Sequence, residues 1–254
     1  MLTGAGVSTD SGIPDYRGPV SRLRVRTPIQ HHAFVSQPST RQRYWARSSV
    51  GWPRFSLAKP NVAHHTLAQM ERSALVTGLI TQNVDELHSK AGQQAVVDLH
   101  GVLSRVRCLA CHSVENREAL QHRLMLLNPS WIDTSAELAP DGDADMPSGL
   151  IETFRVPACL QCDGILKPDV VFFGGNVPAD LVRNAYQMVN DAQALLVLGS
   201  SLTVFSGLRF VRRAKERDIP IVIVNMGETR GDQDATLTCH APVSDVLSRL
   251  IERL

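Results

Sequence analysis

Residues 4–18 read GAGVSTDSGIPDYRG, a glycine-rich turn that follows a short apolar strand (Met1, Leu2, Thr3) and runs into a proline-and-arginine loop. Gly4 and Gly6 carry no Cβ to hold a ligand off or to forbid positive φ, so such a turn lets backbone N–H groups approach a diphosphate, and a helix starting there would add its positive end. The same spacing also serves ordinary tight turns. The full dinucleotide fingerprint asks for a third glycine and an acidic residue about 20 positions on. Here Thr9 stands at the third glycine, and no Asp or Glu occurs between Asp15 and Glu71. The run from Tyr16 to Met70 instead carries nine Lys or Arg (Arg17, Arg22, Arg24, Arg26, Arg41, Arg43, Arg47, Arg54, Lys59) and four His. That charge would suit an anionic ligand or partner, or simply a solvated basic loop.

Cysteine spacing offers a second chemistry. Cys108-Leu-Ala-Cys111 and Cys159-Leu-Gln-Cys162 are two C-x-x-C knuckles, each able to supply one edge of a tetrahedral zinc site with thiolates at about 2.3 Å. Disulfides are the alternative, which a chain without a secretory leader pattern disfavours. A four-sulfur site leaves no position for substrate, so its role would be structural. The 47 residues between the knuckles (112–158) include a helical stretch, Arg117 to Leu127, and a turn-rich acidic piece at 140–149 that reads as an exposed loop. The fifth cysteine, Cys239, reads as a buried or half-buried thiol without a role.

The elements that must position these groups follow from periodicity. Val62 to Ala74 and Ala179 to Asp191 have helical spacing, as does Gly207 to Arg217; Leu75 to Thr81, 195–199 and Ile219 to Asn225 read as buried strands. This alternation predicts a Rossmann-like α/β fold, a parallel sheet with helices on both faces, plus a small zinc-binding module inserted in the chain. The expected division is 1–107 with 163–254 for the sheet domain, including a helical cofactor-loop insertion at about 18–60, and 108–162 for the zinc module. The strand tips TQNVDELH (81–88), GSSLTV (199–204) and NMGETR (225–230) would meet the first glycine turn at the carboxyl edge of the sheet, where open α/β sheets bind ligands. With 254 residues, 43% of them apolar, the chain can bury one such core plus an accessory module. A net charge of +1 gives no argument for nucleic acid or membrane. No apolar run approaches the roughly 20 residues needed to span a bilayer. A first strand of such a sheet has about five or six residues, so the expectation is either a start codon placed too late or upstream residues that are missing.

In order, GAGVSTDSGIPDYRG, TQNVDELH, LHG at 99–101, the two C-x-x-C pairs, GILKPDVVFFGG at 164–175, GSS at 199–201 and VN at 224–225 resemble the motif series of the sirtuins, NAD-dependent protein-lysine deacylases, over essentially the whole chain. PIQHHAFV, RQRYWARSSVGWPRFS, the long stretch between the knuckles and LNPSW at 127–131 look most like the class II branch, which includes the mitochondrial lipoamidase-type sirtuin.

The resemblance implies a reaction and a residue for each part of it. Sirtuins cleave the nicotinamide bond of NAD, consumed as a co-substrate, and trap the ribosyl electrophile with the acyl-lysine carbonyl oxygen. His100 matches the general base that then deprotonates a ribose hydroxyl so that it attacks the alkylimidate, work suited to an imidazole with an ordinary pKa near 6.5. Asn83 and Asp85 match catalytic positions, Asn83 toward ribose or an ordered water and Asp85 toward the nicotinamide carboxamide. With Gln82 and Val84 they form the NAD-facing tip after the second strand. Gly4, Ala5, Gly6, Asp15, Tyr16 and Arg17 match the positions around the diphosphate and nicotinamide ribose, with Arg17 as a mobile cationic contact. Gly199, Ser200 and Ser201 match the phosphate or adenine-side ribose contacts, Asn225, Met226 and Gly227 the adenosine side, and Val243 a backbone contact to adenine. Val171, Phe172 and Phe173 resemble the substrate-tunnel segment, in a cleft between sheet domain and zinc module, with one of the three side chains expected to be core instead. The tyrosine and arginine that desuccinylating sirtuins use are not identifiable here, and the resemblance to the class II pattern implies an apolar or lipoyl-like acyl group. Protein ADP-ribosyl transfer and a non-enzymatic NAD-sensing zinc module are the alternatives. Expected partners are acylated lysines in proteins, with no nucleic acid and no membrane. The chain is expected to be a monomer in the cytoplasm, or in the mitochondrial matrix if it is eukaryotic and lacks its presequence.

Overall fold

A computed structural model describes residues 1–18, 28–131 and 151–253. The acidic piece at 140–149 and Arg22, Arg24 and Arg26 therefore lie outside the described residues. The strands in chain order are β1 Leu2–Thr3, β2 Leu79–Thr81, β3 Val96–Asp98, β4 Gly101–Cys108, β5 Val114–Asn116, β6 Leu166–Val170, β7 Leu195–Leu198, β8 Ile221–Val224 and β9 Leu237–Cys239. The α-helices are α1 His31–Ser36, α2 Pro38–Ser56, α3 Val62–Arg72, α4 Leu87–Lys90, α5 Arg117–Leu127, α6 Ala179–Asp191, α7 Phe205–Glu216 and α8 Val243–Ile251. No helix among the described residues is long and apolar enough to cross a membrane.

Two compact units divide the chain. The first comprises Met1–Arg24, Ala58–His100 and Val177–Leu254. Among its described residues is a six-stranded sheet in the order β3-β2-β1-β7-β8-β9, parallel throughout. The order reverses at β1, which lies between β2 and β7, so the tips of these three strands share the switch point of the sheet. Alternating side chains supply both faces, as the two-residue period of a strand requires. Leu2, Ile80, Leu195, Val197, Ile221 and Ile223 pack with Ala185 and Val189 of α6 and with Leu208, Phe210, Val211 and Ala214 of α7. Leu79, Leu196, Leu198, Val222 and Val224 pack instead with Ala63, Leu67 and Met70 of α3 and Val243 and Leu247 of α8. Each fully buried Leu, Ile or Val contributes about 1.5–3 kcal/mol relative to exposure, and these residues hold helices on both faces.

The second unit is Val25–Leu57 with Gly101–Asn176. Its boundaries fall at 100/101 and 176/177 rather than beside the knuckles at 107/108 and 162/163. The reason lies in strand pairing: β4 and β6 leave the knuckles as an antiparallel pair and, with β5, form a three-stranded sheet in the order β5-β4-β6. The part of the basic segment from Val25 to Leu57 belongs to this unit too, and at His31–Ser36 and Pro38–Ser56 it is helical rather than a solvated loop. Phe34, Tyr44 and Trp45 pack with Val106, Leu120, Leu124, Trp131, Phe154, Leu166 and Phe172. Arg41 closes α1 by donating to the carbonyls of Phe34 and Val35, each at 2.9 Å. Arg117, 1% exposed, lies over the rings of Trp45 (5.4 Å) and Trp52 (4.9 Å) and donates to Gln121 Oε1 at 2.8 Å. Its charge is thus both stacked and hydrogen-bonded, as a buried guanidinium requires.

Candidate active site

The floor of the site in the first unit is three strand tips, those of β1, β7 and β8, joined backbone to backbone. Gly4 N–H donates to Leu198 O (3.0 Å), Gly6 N–H to Gly199 O (2.9 Å) and Gly199 N–H to Val224 O (2.9 Å). A Cβ on Gly6 would come within 2.9 Å of Gly199 Cα, and one on Gly199 would meet Val7 N at 2.6 Å, with Gly199 also at φ +59°. The glycines of the first turn are therefore required by close loop packing. Gly4 sits at an extended φ of −136°, and its N–H and that of Gly6 are bonded within the protein, not held out for a diphosphate. No long helix follows the turn; Ala5–Val7 and Thr9–Ser11 are single 3₁₀ turns.

The tip of β2 carries the polar chemistry. Asn83 donates its side-chain amide to Gly4 O (3.2 Å) and Ser8 Oγ (3.0 Å), so its carbonyl oxygen is what it can offer a ligand. Asp85, 6% exposed, accepts from Ser8 Oγ (2.7 Å) and from Leu87 N–H (2.9 Å) at the start of α4. Burial raises its pKa above the ordinary value, a shift that these two hydrogen bonds oppose. His100 Nδ1 lies 2.9 Å from Gln82 O, and its Nε2 lies 2.8 Å from Ser206 Oγ. Since a carbonyl can only accept, Nδ1 carries the proton and Nε2 the lone pair. Burial lowers the His100 pKa, the Gln82 hydrogen bond raises it, and the positive charge of Arg209 lowers it again. His100 is thus a neutral imidazole with a lone pair on a defined nitrogen.

Other expected residues have definite places. Ser200 spends its hydroxyl on Gln82 Oε1 (2.6 Å), and Ser201 pairs with Thr203 Oγ1 (3.1 Å). At the tip of β8, Asn225 donates to Gly227 O (2.7 Å), Met226 is exposed, and a Cβ on Gly227 would meet nothing within 4 Å. The Val243 side chain is core at the start of α8. Asp15 accepts from Gly18 N–H (2.8 Å) in a short turn carrying the exposed Tyr16 and Arg17, and Val84 is half-buried.

In the second unit, Cys108, Cys111, Cys159 and Cys162 bring their sulfurs within 4.8 Å of one another. Zn–S bonds of about 2.3 Å in a tetrahedron put sulfurs roughly 3.8 Å apart, and Cys108–Cys162 at 3.5 Å and Cys111–Cys159 at 3.7 Å fit. Ala110 N–H and Gln161 N–H each donate to a cysteine sulfur at 3.4 Å, support suited to thiolates. Gly164 makes the cradle, since a Cβ there would lie 2.8 Å from Cys108 Sγ. Cys111→Ser should empty the site and destabilise the unit by several kcal/mol, on the order expected when ligation contributes folding free energy. Metal content per chain and thermal unfolding check this, and a zinc-free variant with wild-type melting would refute it.

Of the expected tunnel residues, Phe172 is instead core: its ring lies 5.0 Å from Phe34 and 5.2 Å from Tyr44, beneath Lys167 Nζ at 4.7 Å. Val171 and Phe173 are half-buried, and Phe173 O accepts from His31 N–H (2.8 Å). Lys167 turns back onto the Pro168 and Val170 carbonyls, and burial brings its pKa down to about 8.

This arrangement has counterparts among known proteins. Residues 4–206 match the model of the Sir2 family. The chain belongs to that family. A family relative from Bradyrhizobium diazoefficiens, called NAD-dependent protein deacetylase 2, is 51% identical over 99% of this chain and 92% of its own length. A Drosophila melanogaster relative, called NAD-dependent protein deacylase Sirt4, is 48% identical over 99% of this chain and 82% of its own. A Sir2 structure with p53 peptide and NAD+ superposes with a TM-score of 0.78 at 33% identity, covering 99% of this chain and 91% of that one.

The residues of the first unit fit the dinucleotide. The glycine contacts leave a side-chain-free floor, and the carbonyl of Asn83, the carboxyl of Asp85 and the open space beside Gly227 lie at strand tips of the sheet. Sequence reasoning missed Ser8, His64, His88 and Ser206. Ser8 lay inside the glycine motif but was read only as spacing. Ser206 stands one residue before the expected helix start, where a serine reads as a cap.

Proposed function

We infer that the chain is an NAD-dependent protein-lysine deacylase, releasing nicotinamide, O-acyl-ADP-ribose and the free lysine. The observation that carries this reading is His100: neutral, with Nδ1–H fixed on Gln82 O and the lone pair on Nε2. NAD supplies the electrophilic ribose carbon once nicotinamide leaves. The chain's own part is to hold Nε2 ready for a ribose hydroxyl proton and to brace Asn83 and Asp85 through Ser8. The names of the relatives support the activity. The class II resemblance of PIQHHAFV, RQRYWARSSVGWPRFS and LNPSW extends the reading to an apolar or lipoyl-like acyl preference, and the name deacylase borne by the 48% identical Drosophila melanogaster relative agrees with an acyl group other than acetyl.

The test is the whole protein with NAD and a panel of acyl-lysine peptides, scored by mass spectrometry. Nicotinamide should appear only with an acylated peptide, one per lysine freed, and most readily with apolar acyl groups. Nicotinamide release without acyl peptide, accompanied by ADP-ribose on protein, would overturn the reading.

A further inference from the structure

We propose that Ser206 is a positioning residue for the His100 base, holding the imidazole by its reactive nitrogen and tying it to the Gln82–Ser200 pair. Ser206, 8% exposed, stands on the first turn of α7 with its hydroxyl 2.8 Å from Nε2. It makes no cap for that helix, whose N-cap is Val204 without a side-chain hydrogen bond. With Nδ1 occupied by Gln82 O, Ser206 fixes the other end of the ring, so the imidazole is held along its long axis.

Gln82 is itself clamped from both sides. Its main-chain carbonyl accepts from His100 Nδ1–H, and its side-chain oxygen accepts from the Ser200 hydroxyl at 2.6 Å, while Ser200 Oγ accepts from Leu202 N–H at 3.2 Å. The Gln82 amide also lies flat on α7 beside Ser206: a Cβ on Gly207 would reach Gln82 Nε2 at 2.6 Å. Ser206, His100, Gln82 and Ser200 therefore form one hydrogen-bonded chain from the first turn of α7 to the tips of β2 and β7, its two serine ends buried. A hydroxyl suits the Nε2 position because it donates to a neutral imidazole and, after rotation, accepts from the imidazolium. Nε2 has a single lone pair, so the Ser206 hydrogen turns away before a substrate hydroxyl gives its proton there; the hydroxyl keeps the ring aimed until then and afterwards accepts from the imidazolium, which a methyl group in the same place could not do.

The proposal rests on His100 acting as base in the step after nicotinamide departs, and the whole protein with NAD and acyl peptide separates the two claims. Ser206→Ala should lower kcat for lysine release about tenfold, with both KM values and the exchange of labelled nicotinamide into NAD within twofold of wild type. Ser206→Thr, which keeps the hydroxyl, should restore kcat, and Ser206→Ala should add nothing to His100→Ala, as members of one network are non-additive. Wild-type kcat in Ser206→Ala, an equal fall of exchange and lysine release, or no rescue by Thr would overturn it. If His100→Ala itself kept full lysine release, the reading of the base would fall instead.

Discussion

His100→Ala should lower acyl-peptide-dependent lysine release by about 10²–10⁴-fold, the range that a positioned base contributes, while the protein still folds. The side chain bonds to one carbonyl and one hydroxyl, Gln82 O and Ser206 Oγ. Removing it leaves two polar groups seeking water, which costs about 1–3 kcal/mol, and it deletes no part of the two apolar clusters around the sheet. Steady-state kinetics beside thermal unfolding check both halves. Unfolding of the variant would make His100 a structural histidine and sink its role as base.

Acid should weaken the fold well above the pH at which carboxylates titrate. His64 and His88 lie ring to ring at 4.8 Å, both buried, His64 near Ser8 and His88 bonded to Thr3 Oγ1 at 3.0 Å. Burial, with His65 adding to it at His64 and His64 adding to it at His88, brings their pKa values from 6.5 down to about 4 and about 3. Above pH 6.5 both are neutral folded or unfolded, and stability is complete. As pH falls below 6.5 the unfolded chain takes up protons that the folded one refuses, so each residue removes about 1.4 kcal/mol per pH unit until its folded pKa is reached. Between pH 7 and pH 5 the pair should remove on the order of 4 kcal/mol. Urea unfolding across that range measures the slope, and His88→Gln should cut it by about half. A flat profile would mean that both rings take up protons in the native state as readily as in the unfolded chain, and would refute the prediction.

Several elements were legible in the residues because local and tertiary signals agreed. Helices α5 and α6 begin and end where their periodicity does, and the four cysteines gather as their spacing implied. The strand expected from Leu75 is formed only over Leu79–Thr81. The residues before it close α3: Ala74 turns left-handed at φ +56°, and Leu75 N–H reaches back to Met70 O at 2.9 Å. This is the usual helix stop, but with alanine where glycine would announce it. The Val171-Phe172-Phe173 run could not be sorted by pattern, since tunnel wall and core ask for the same side chains; only ring packing against Phe34 and Tyr44 decides for Phe172. The partners of His100 were hidden for a different reason. Gln82 acts there through its main chain, and Ser206 lies 106 positions away.

The amides of Gly4, Gly6 and Gly199 stitch adjoining strand ends to one another. That part of the pocket acquires its shape when the sheet closes and owes nothing to the arriving nucleotide. An incoming ligand finds no backbone entropy to remove there, and whatever ordering accompanies association falls on residues outside this seam.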